Sequence, residues 1–365
     1  MFDLHTLWLL LWSVLCAAFA AVVWFDLRDL RSLLQAAARL EPVEPVAPPA
    51  AVRPPPHGGW PTVDVIIPIF NMGDSVAATI QSVERSAYPR RRLIVVDDGS
   101  DDGTTWPALQ RLSDRIDSLE RIAHGGKATA ANRGVQLGDG EFVFFLDADS
   151  HVAPDFIERA LAEFSPAVGA IDFVQRVSNP RQSFWTRQAT FERAVLALRP
   201  DNFGALFAMR REVAQSHPFV ECLSPQFEIN TRLREAGLLR ISPAALVYSQ
   251  EPADVGLTFR RKRRWTYGFL ETLSLHGRAP DFHIFIPLID LLLIALLLVS
   301  PLQPALAVFA AGLYLNWTLK AMVLARRLGL PLNDVPGHGV YMLVVNAAVA
   351  AGLLAFWRRR RVVWR

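Results

Sequence analysis

The stretch EFVFFLDADS, residues 141–150, decides the fold. Phe142 to Leu146 form an uninterrupted apolar run, which gives way to Asp147 and Asp149 flanking one small residue. A continuous apolar run this short, bounded by turn residues, fits a strand buried on both faces. The two acids then stand just beyond its carboxyl end.

The same grammar recurs upstream. VDVIIPIF at 63–70 and RLIVVDDGS at 92–100 are further short apolar runs, and the second also ends in acids, Asp97 and Asp98. Helix-like stretches, SVAATIQSVERSA at 75–87 and KATAANRGVQL at 127–137, separate them. Strands alternating with helices imply a mainly parallel sheet with crossover connections. Ligands bind such sheets at the carboxyl ends of the strands, where both acidic clusters fall.

Composition sets the surroundings. Of 365 residues, 52% are hydrophobic, more than a purely soluble domain carries. The excess is concentrated at 7–25 and beyond 281. The first stretch is long enough to cross a hydrocarbon core as a helix of about 20 residues. It reads as a retained anchor, because its start carries Asp3 and no basic residue. Arg28 and Arg31 follow it and put the next region in the cytoplasm. Cys16 and Cys222 are the only cysteines, so there is no disulfide framework, and no His/Cys spacing suits zinc. A net charge of +3 gives no case for nucleic acid.

Residues 41–61 are too rich in proline for a helix or central strand and read as a semi-rigid spacer. The expected order is an anchor at 1–27, a juxtamembrane helix and Pro-rich linker at 28–61, and a sheet domain at 62–268. An interfacial helix at 269–282, membrane segments at 283–357 and a basic tail at 358–365 complete it. Apolar runs near 283–300, 303–325 and 338–357 would leave the arginines of 358–361 outside after three crossings, against the positive-inside rule. One of the three is therefore expected to be re-entrant or interfacial.

Asp147 and Asp149 can reach one hard cation, magnesium or manganese, whose shell a diphosphate and water would complete. Asp97, Asp98, Gly99 and Ser100 equally suit a turn and a helix cap. His124, Gly125, Gly126 and Lys127 offer backbone that can approach a polar ligand and a cation to meet phosphate.

VDVIIPIFN, VVDDGSDDGT, GGKATAANRG, GEFVFFLDADS and NFGALFAMRRE, in this order from about Val63 to Gly268, resemble the family 2 glycosyltransferases of GT-A fold. The likeness is to their membrane-embedded branch, which includes cellulose, hyaluronan and poly-N-acetylglucosamine synthases. It implies an α/β fold with a Rossmann-like, mixed and mainly parallel sheet in the cytoplasm, and transmembrane helices at both ends. It also implies a nucleotide-diphosphate sugar donor, with Asp97 and Asp98 near base and ribose, Lys127 beside the nucleotide, and Asp147 and Asp149 holding the diphosphate and its metal.

Two motifs of that family are altered. A Glu-Asp pair usually precedes an Arg-Leu pair on a helix and supplies the general base. Counting back from Arg232 and Leu233 gives Gln226, with Pro225 before it. An amide cannot take a proton at neutral pH, and general-base assistance contributes about 10²- to 10⁴-fold. Glu228 lies about 200° away around the helix and should point elsewhere, while Glu221 in the preceding loop could swing in. The Gln-x-x-Arg-Trp motif keeps Arg264 and Trp265 but has Arg261 at its first position. By the family pattern Arg264 braces the leaving diphosphate and Trp265 stacks under a sugar. The basic run Arg260 to Arg263 also suits anionic lipid.

The sequence thus points to an inverting glycosyltransferase in the inner membrane, multi-pass, acting on a lipid or glycan acceptor among membrane lipids and other synthase subunits. An acceptor that is already ionised would need no base. The alternative is a catalytically impaired scaffold or regulator of a polysaccharide synthase complex.

Overall fold

The computed structural model describes residues 4–39, 59–198, 206–242, 244, 246–279, 287–288, 291, 295 and 305–358. Most of the Pro-rich spacer, most of the apolar run 283–300, the arginines beyond Arg358 and Asn202 to Ala205 lie outside that range. The chain divides into two compact units, one of Met1–Glu41, Arg181–Arg199 and Pro252–Arg365, the other of Pro42–Pro180 and Pro200–Glu251.

The second unit is built on a seven-stranded sheet of order β3-β2-β1-β4-β8-β6-β9. Its strands are β1 (Val63–Ile69), β2 (Arg91–Asp97), β3 (Ser118–Arg121), β4 (Phe142–Leu146), β6 (Ala170–Phe173), β8 (Leu206–Arg210) and β9 (Leu239–Ser242). Every pairing is parallel except the two made by β8, so β8 alone runs against the rest. The sheet is mixed and mainly parallel. A smaller sheet joins β5 (Ser150–Val152), β10 (Val247–Ser249) and β7 (Arg176–Val177).

Every residue of β1 is buried because helices cover both faces. Val63, Val65, Ile67 and Ile69 pack with α2 (Val76–Glu84), α3 (Thr105–Arg111) and α5 (Phe156–Ala162). Ile66, Ile94, Val96 and Phe145 point the other way, toward α4 (Lys127–Leu137), α7 (Arg211–Ser216) and α8 (Pro225–Glu235). Gly134 permits the close seating of α4 on β1, since a Cβ there would stand 2.4 Å from Cγ2 of Ile66. On α8, Pro225 occupies the first turn, Ile229 and Leu233 face the core, and Gly237 turns left-handed with φ of 71° just past the end.

The first unit is helical, with α1 (Leu4–Arg39), α6 (Phe184–Leu196), α9 (Val255–Leu275), α10 (Ala305–Arg327) and α11 (His338–Trp357). The stretch 269–282, expected as a separate interfacial helix, is as far as Leu275 the end of α9. Residues 7–25 lie within α1. Among the described residues, Ala307–Arg327 and Leu332–Trp357 are helical spans long and apolar enough to cross a membrane. Lys320 of α10 pairs with Asp26 at 2.6 Å and Asp29 at 2.9 Å on α1, so each carries its counter-charge.

One buried acid holds the far end of the large sheet. Asp64 of β1 is 1% exposed, meets Arg92 at 3.1 Å, accepts the Gly140 N–H at 2.8 Å and pairs with Arg211. Removing it takes the shared carboxylate from two arginines and leaves the buried Gly140 N–H without its acceptor. Asp64→Ala is expected to cost about 3–5 kcal/mol of stability, read as a lowered thermal midpoint of the purified chain.

Candidate functional site

The site begins where β2 ends. Asp97 is fully buried, and its Oδ1 accepts the Ser100 N–H at 3.3 Å and the Ser100 hydroxyl. Its Oδ2 stands 3.1 Å from Nε of Arg121, which also donates to the Ser100 carbonyl. Asn71, left-handed at φ 52°, accepts the N–H groups of Asp101 and Asp102 and so ties the loop after β1 to the same turn. Asp102 accepts from the backbone of Thr104 and Thr105 and from the Thr105 hydroxyl. Slight burial pushes its carboxyl up, but those donors outweigh it and hold it well below the ordinary carboxylate range. The turn and cap chemistry open to VVDDGSDDGT is therefore present, carried by Asp97 and Asp102.

Asp98 reaches the next loop. Its two oxygens accept the N–H groups of Gly125 at 2.8 Å and Gly126 at 2.9 Å, and Nδ1 of His124 lies 2.8 Å from Oδ2. The His124 ring stacks on Phe70 with centroids 4.3 Å apart. The following residue, Lys127, opens α4 and pairs with Asp147 beyond β4. One loop thereby joins the two acidic clusters, with backbone on Asp98 and ammonium on Asp147.

The amino end of α4 is already filled. Oε2 of Glu221 accepts the Ala128 N–H at 3.0 Å. Gly126, at φ 97°, passes so close that a Cβ would fall 2.2 Å from the Glu221 carboxyl carbon. The loop bearing Glu221 is fixed by Asn132, which donates to the Phe219 carbonyl at 2.8 Å and accepts its N–H at 2.9 Å. Burial raises the Glu221 carboxyl above its ordinary value. The Ala128 and Thr129 N–H groups oppose that rise and the Asp98 charge adds to it.

A small cleft lies at this edge of the sheet, walled by Pro68, Lys127, Asp147, Phe207, Phe219, Pro225 and Gln226 among others. It brings together three residues singled out from the sequence: Lys127, Asp147 and Gln226. Asp97 and Asp98 are not among its walls: Asp97 Oδ1 is engaged by Ser100, its buried Oδ2 faces Arg121 without a hydrogen bond, and Asp98 is held by the glycine loop and His124. Asp149 is exposed beside Ser150, whose hydroxyl donates to it at 3.3 Å. No group of three or more His, Cys, Asp or Glu placed to hold a metal occurs among the described residues.

Gln226 donates from Nε2 to Oδ1 of Asp172 at 3.2 Å, and Asn230 donates to the other oxygen. Asp172, on β6, is fully buried. The sequence reading passed over it, although a lone acid in the apolar run GAIDFV, 169–174, was a visible signal. Glu228 is 2% exposed and clasped by Arg232 at 2.7 and 2.9 Å, away from the cleft.

Arg264 and Trp265 belong to the helical unit, on α9. The Trp265 ring there has the Arg193 guanidinium 4.6 Å and the Lys262 ammonium 4.3 Å from its centroid. Lys262 is 7% exposed and paired with Glu192, which also accepts the Tyr341 hydroxyl at 2.8 Å. It therefore drops out of the basic run offered to lipid, in which Arg260 remains exposed.

Two family models match the chain. "Glycosyl transferase family 2" covers residues 64–217 and "Glycosyl transferase family group 2" covers residues 142–357. Among curated proteins, glycosyltransferase AglE of Haloferax volcanii is 33% identical over 110 residues, 29% of this chain and 36% of that protein. The poly-beta-1,6-N-acetyl-D-glucosamine synthase of Staphylococcus aureus (strain MSSA476) is 22% identical over 229 residues, 58% of this chain and 55% of that protein. The chain spans about half or less of the length of the curated relatives it matches. The mannosyltransferase PcManGT of Pyrobaculum calidifontis, solved with GDP-Man and Mn2+, superposes with a TM-score of 0.61 at 21% identity, covering 95% of this chain and 100% of that one. That likeness shows the fold.

The upward displacement of Glu221 fixes a pH dependence. A carboxyl whose folded value exceeds its unfolded value stabilises the fold below the unfolded value and loses that contribution as pH rises through the folded one. Glu221→Gln is expected to flatten this part of the profile. The difference in thermal midpoint between variant and parent should change across that rise and stay constant above it.

Proposed function

The chain belongs to the family 2 glycosyltransferases, and from that premise we propose that it transfers a sugar from a nucleotide-diphosphate donor to a glycan or lipid acceptor held at a membrane, with inversion. The observation that carries this reading is the cleft at the strand ends, where Lys127, Asp147 and Gln226 share one wall system. The two apolar helical spans support a membrane-borne acceptor.

Asp98 acts from below the donor. By holding two consecutive N–H groups of the glycine loop it sets the direction in which Lys127 leaves the backbone. The Lys127 ammonium, a third exposed beside the cleft, then meets the negative diphosphate. Asp97 keeps the neighbouring turn closed through Ser100 and Arg121.

Asp147 and Asp149 fit a hard divalent cation, magnesium or manganese. They are carboxylates two residues apart at a strand end, and Asp149 is exposed, so diphosphate oxygens and water would complete the shell. When bound, the ion would neutralise charge building on the departing nucleotide diphosphate. Gln226 orients the attacking acceptor oxygen from the far wall.

The purified full chain, supplied with nucleotide sugars and magnesium or manganese, is expected to bind and turn over at least one of them. Asp149→Ala should lower that turnover on the order of 100-fold or more. A parent protein that neither binds nor hydrolyses any nucleotide sugar, or an Asp149→Ala chain that works unchanged in cells, would leave a scaffold rather than an enzyme.

A further inference from the structure

We propose that Asp172 is a positioning residue for transfer: it fixes the side-chain amide of Gln226 with nitrogen inward on the strand and carbonyl oxygen turned away from it. The assignment rests on the glycosyltransferase reading above, in which Gln226 borders the acceptor.

The two ends of a glutamine amide are nearly the same size, so shape alone does not orient it. Hydrogen bonding does. An ionised carboxylate only accepts, whereas the amide nitrogen donates and the amide oxygen accepts. Facing Asp172 at 3.2 Å, Nε2 makes a bond. The reversed amide would set two acceptors against each other.

Asn230, one helical turn further along α8 on the same face, supplies a second donor to the other carboxylate oxygen. Asp172 is thus held from both sides by amides of one helix. Gln226 is only partly buried and reaches the cleft, while Asn230 beneath it is 2% exposed.

A carboxylate here is costly. Its neighbours on β6, Ala170, Ile171 and Phe173, are fully buried hydrocarbon, and burying a carboxyl group is unfavourable unless hydrogen bonds compensate it. An apolar residue would fill the position without that cost. What the acid adds is direction at residue 226. The acid absent from residue 226 is therefore present one layer deeper, reaching the cleft through an amide that cannot pass a proton on.

Restoring an acid at residue 226 then has a specific consequence. In Gln226→Asp the new carboxyl would stand within reach of Asp172, and two carboxylates in one site do not both ionise readily. It should titrate at least about one unit above the ordinary aspartate value of about 3.9. In the double variant Gln226→Asp/Asp172→Asn it should return toward that value.

The first test is the titration of the new carboxyl in Gln226→Asp and in the double variant, followed by NMR of carboxyl-labelled full chain. Gln226→Asp leaves Asp172 in place and alters only a residue at the cleft wall, so it provides the answer even if Asp172→Asn fails to fold. An ordinary value in Gln226→Asp overturns the proposal. The second test is Asp172→Asn, whose amide can meet Gln226 in either orientation. It should lower kcat about tenfold or more with KM for the donor within about twofold. The Gln226 side-chain NH2 resonance, identified by its loss in Gln226→Leu, should shift. An unmoved resonance, or an unchanged kcat, overturns the positioning role. Should the parent turn over no nucleotide sugar, the enzyme reading fails, and the titration and the NH2 resonance still decide the contact.

Discussion

The sheet unit depends on what the carboxylate of Asp98 holds. Its two oxygens take the N–H groups of Gly125 and Gly126, and no side chain could occupy Gly126 without striking Glu221. That bond pair sets the start of α4, and so the root of Lys127. The ammonium of Lys127 then closes onto Asp147, two strands away across β1. Without the Asp98 clamp, the acids after β2 and those after β4 would be unrelated strand-end turns.

Acidic residues in this unit do two kinds of work, separated by burial. Asp64, Asp97, Asp98 and Asp172 are all 2% exposed or less, and each is met by donors from elements distant in sequence. They hold segments together and orient the groups above them. Asp147, about a third exposed beside Lys127, and Asp149, exposed, remain accessible at the end of β4. Desolvation divides the two sets: an acid at 0% exposure must be satisfied by the protein itself, while a partly solvated one can exchange water for a ligand.

Much of the fold was legible from periodicity. VDVIIPIF, RLIVVDDGS and EFVFFLDADS became β1, β2 and β4, and KATAANRGVQL became α4 residue for residue. Short apolar runs with turn residues at their ends leave few alternatives when helical stretches separate them. At the candidate site the residue types were legible and their partners were not. Lys127, Asp147 and Gln226 do meet at one cleft, whereas Asp97 and Asp98 face inward and Trp265 is engaged by cations of its own unit. Paired acids at a strand end look alike in sequence whether their oxygens meet backbone or ligand.

The sequence by itself determined the parallel sheet and the apolar helices, since these follow from residue type and spacing along the chain, and the family resemblance marked residue 226 as a place where an acid is usual. Only the tertiary structure decided where charge is spent. Asp172 and Gln226 are 54 positions apart and Glu221 is 93 from Ala128. No local pattern records which N–H a distant carboxylate will reach, because that choice is made when the elements pack and each buried polar group must find a partner.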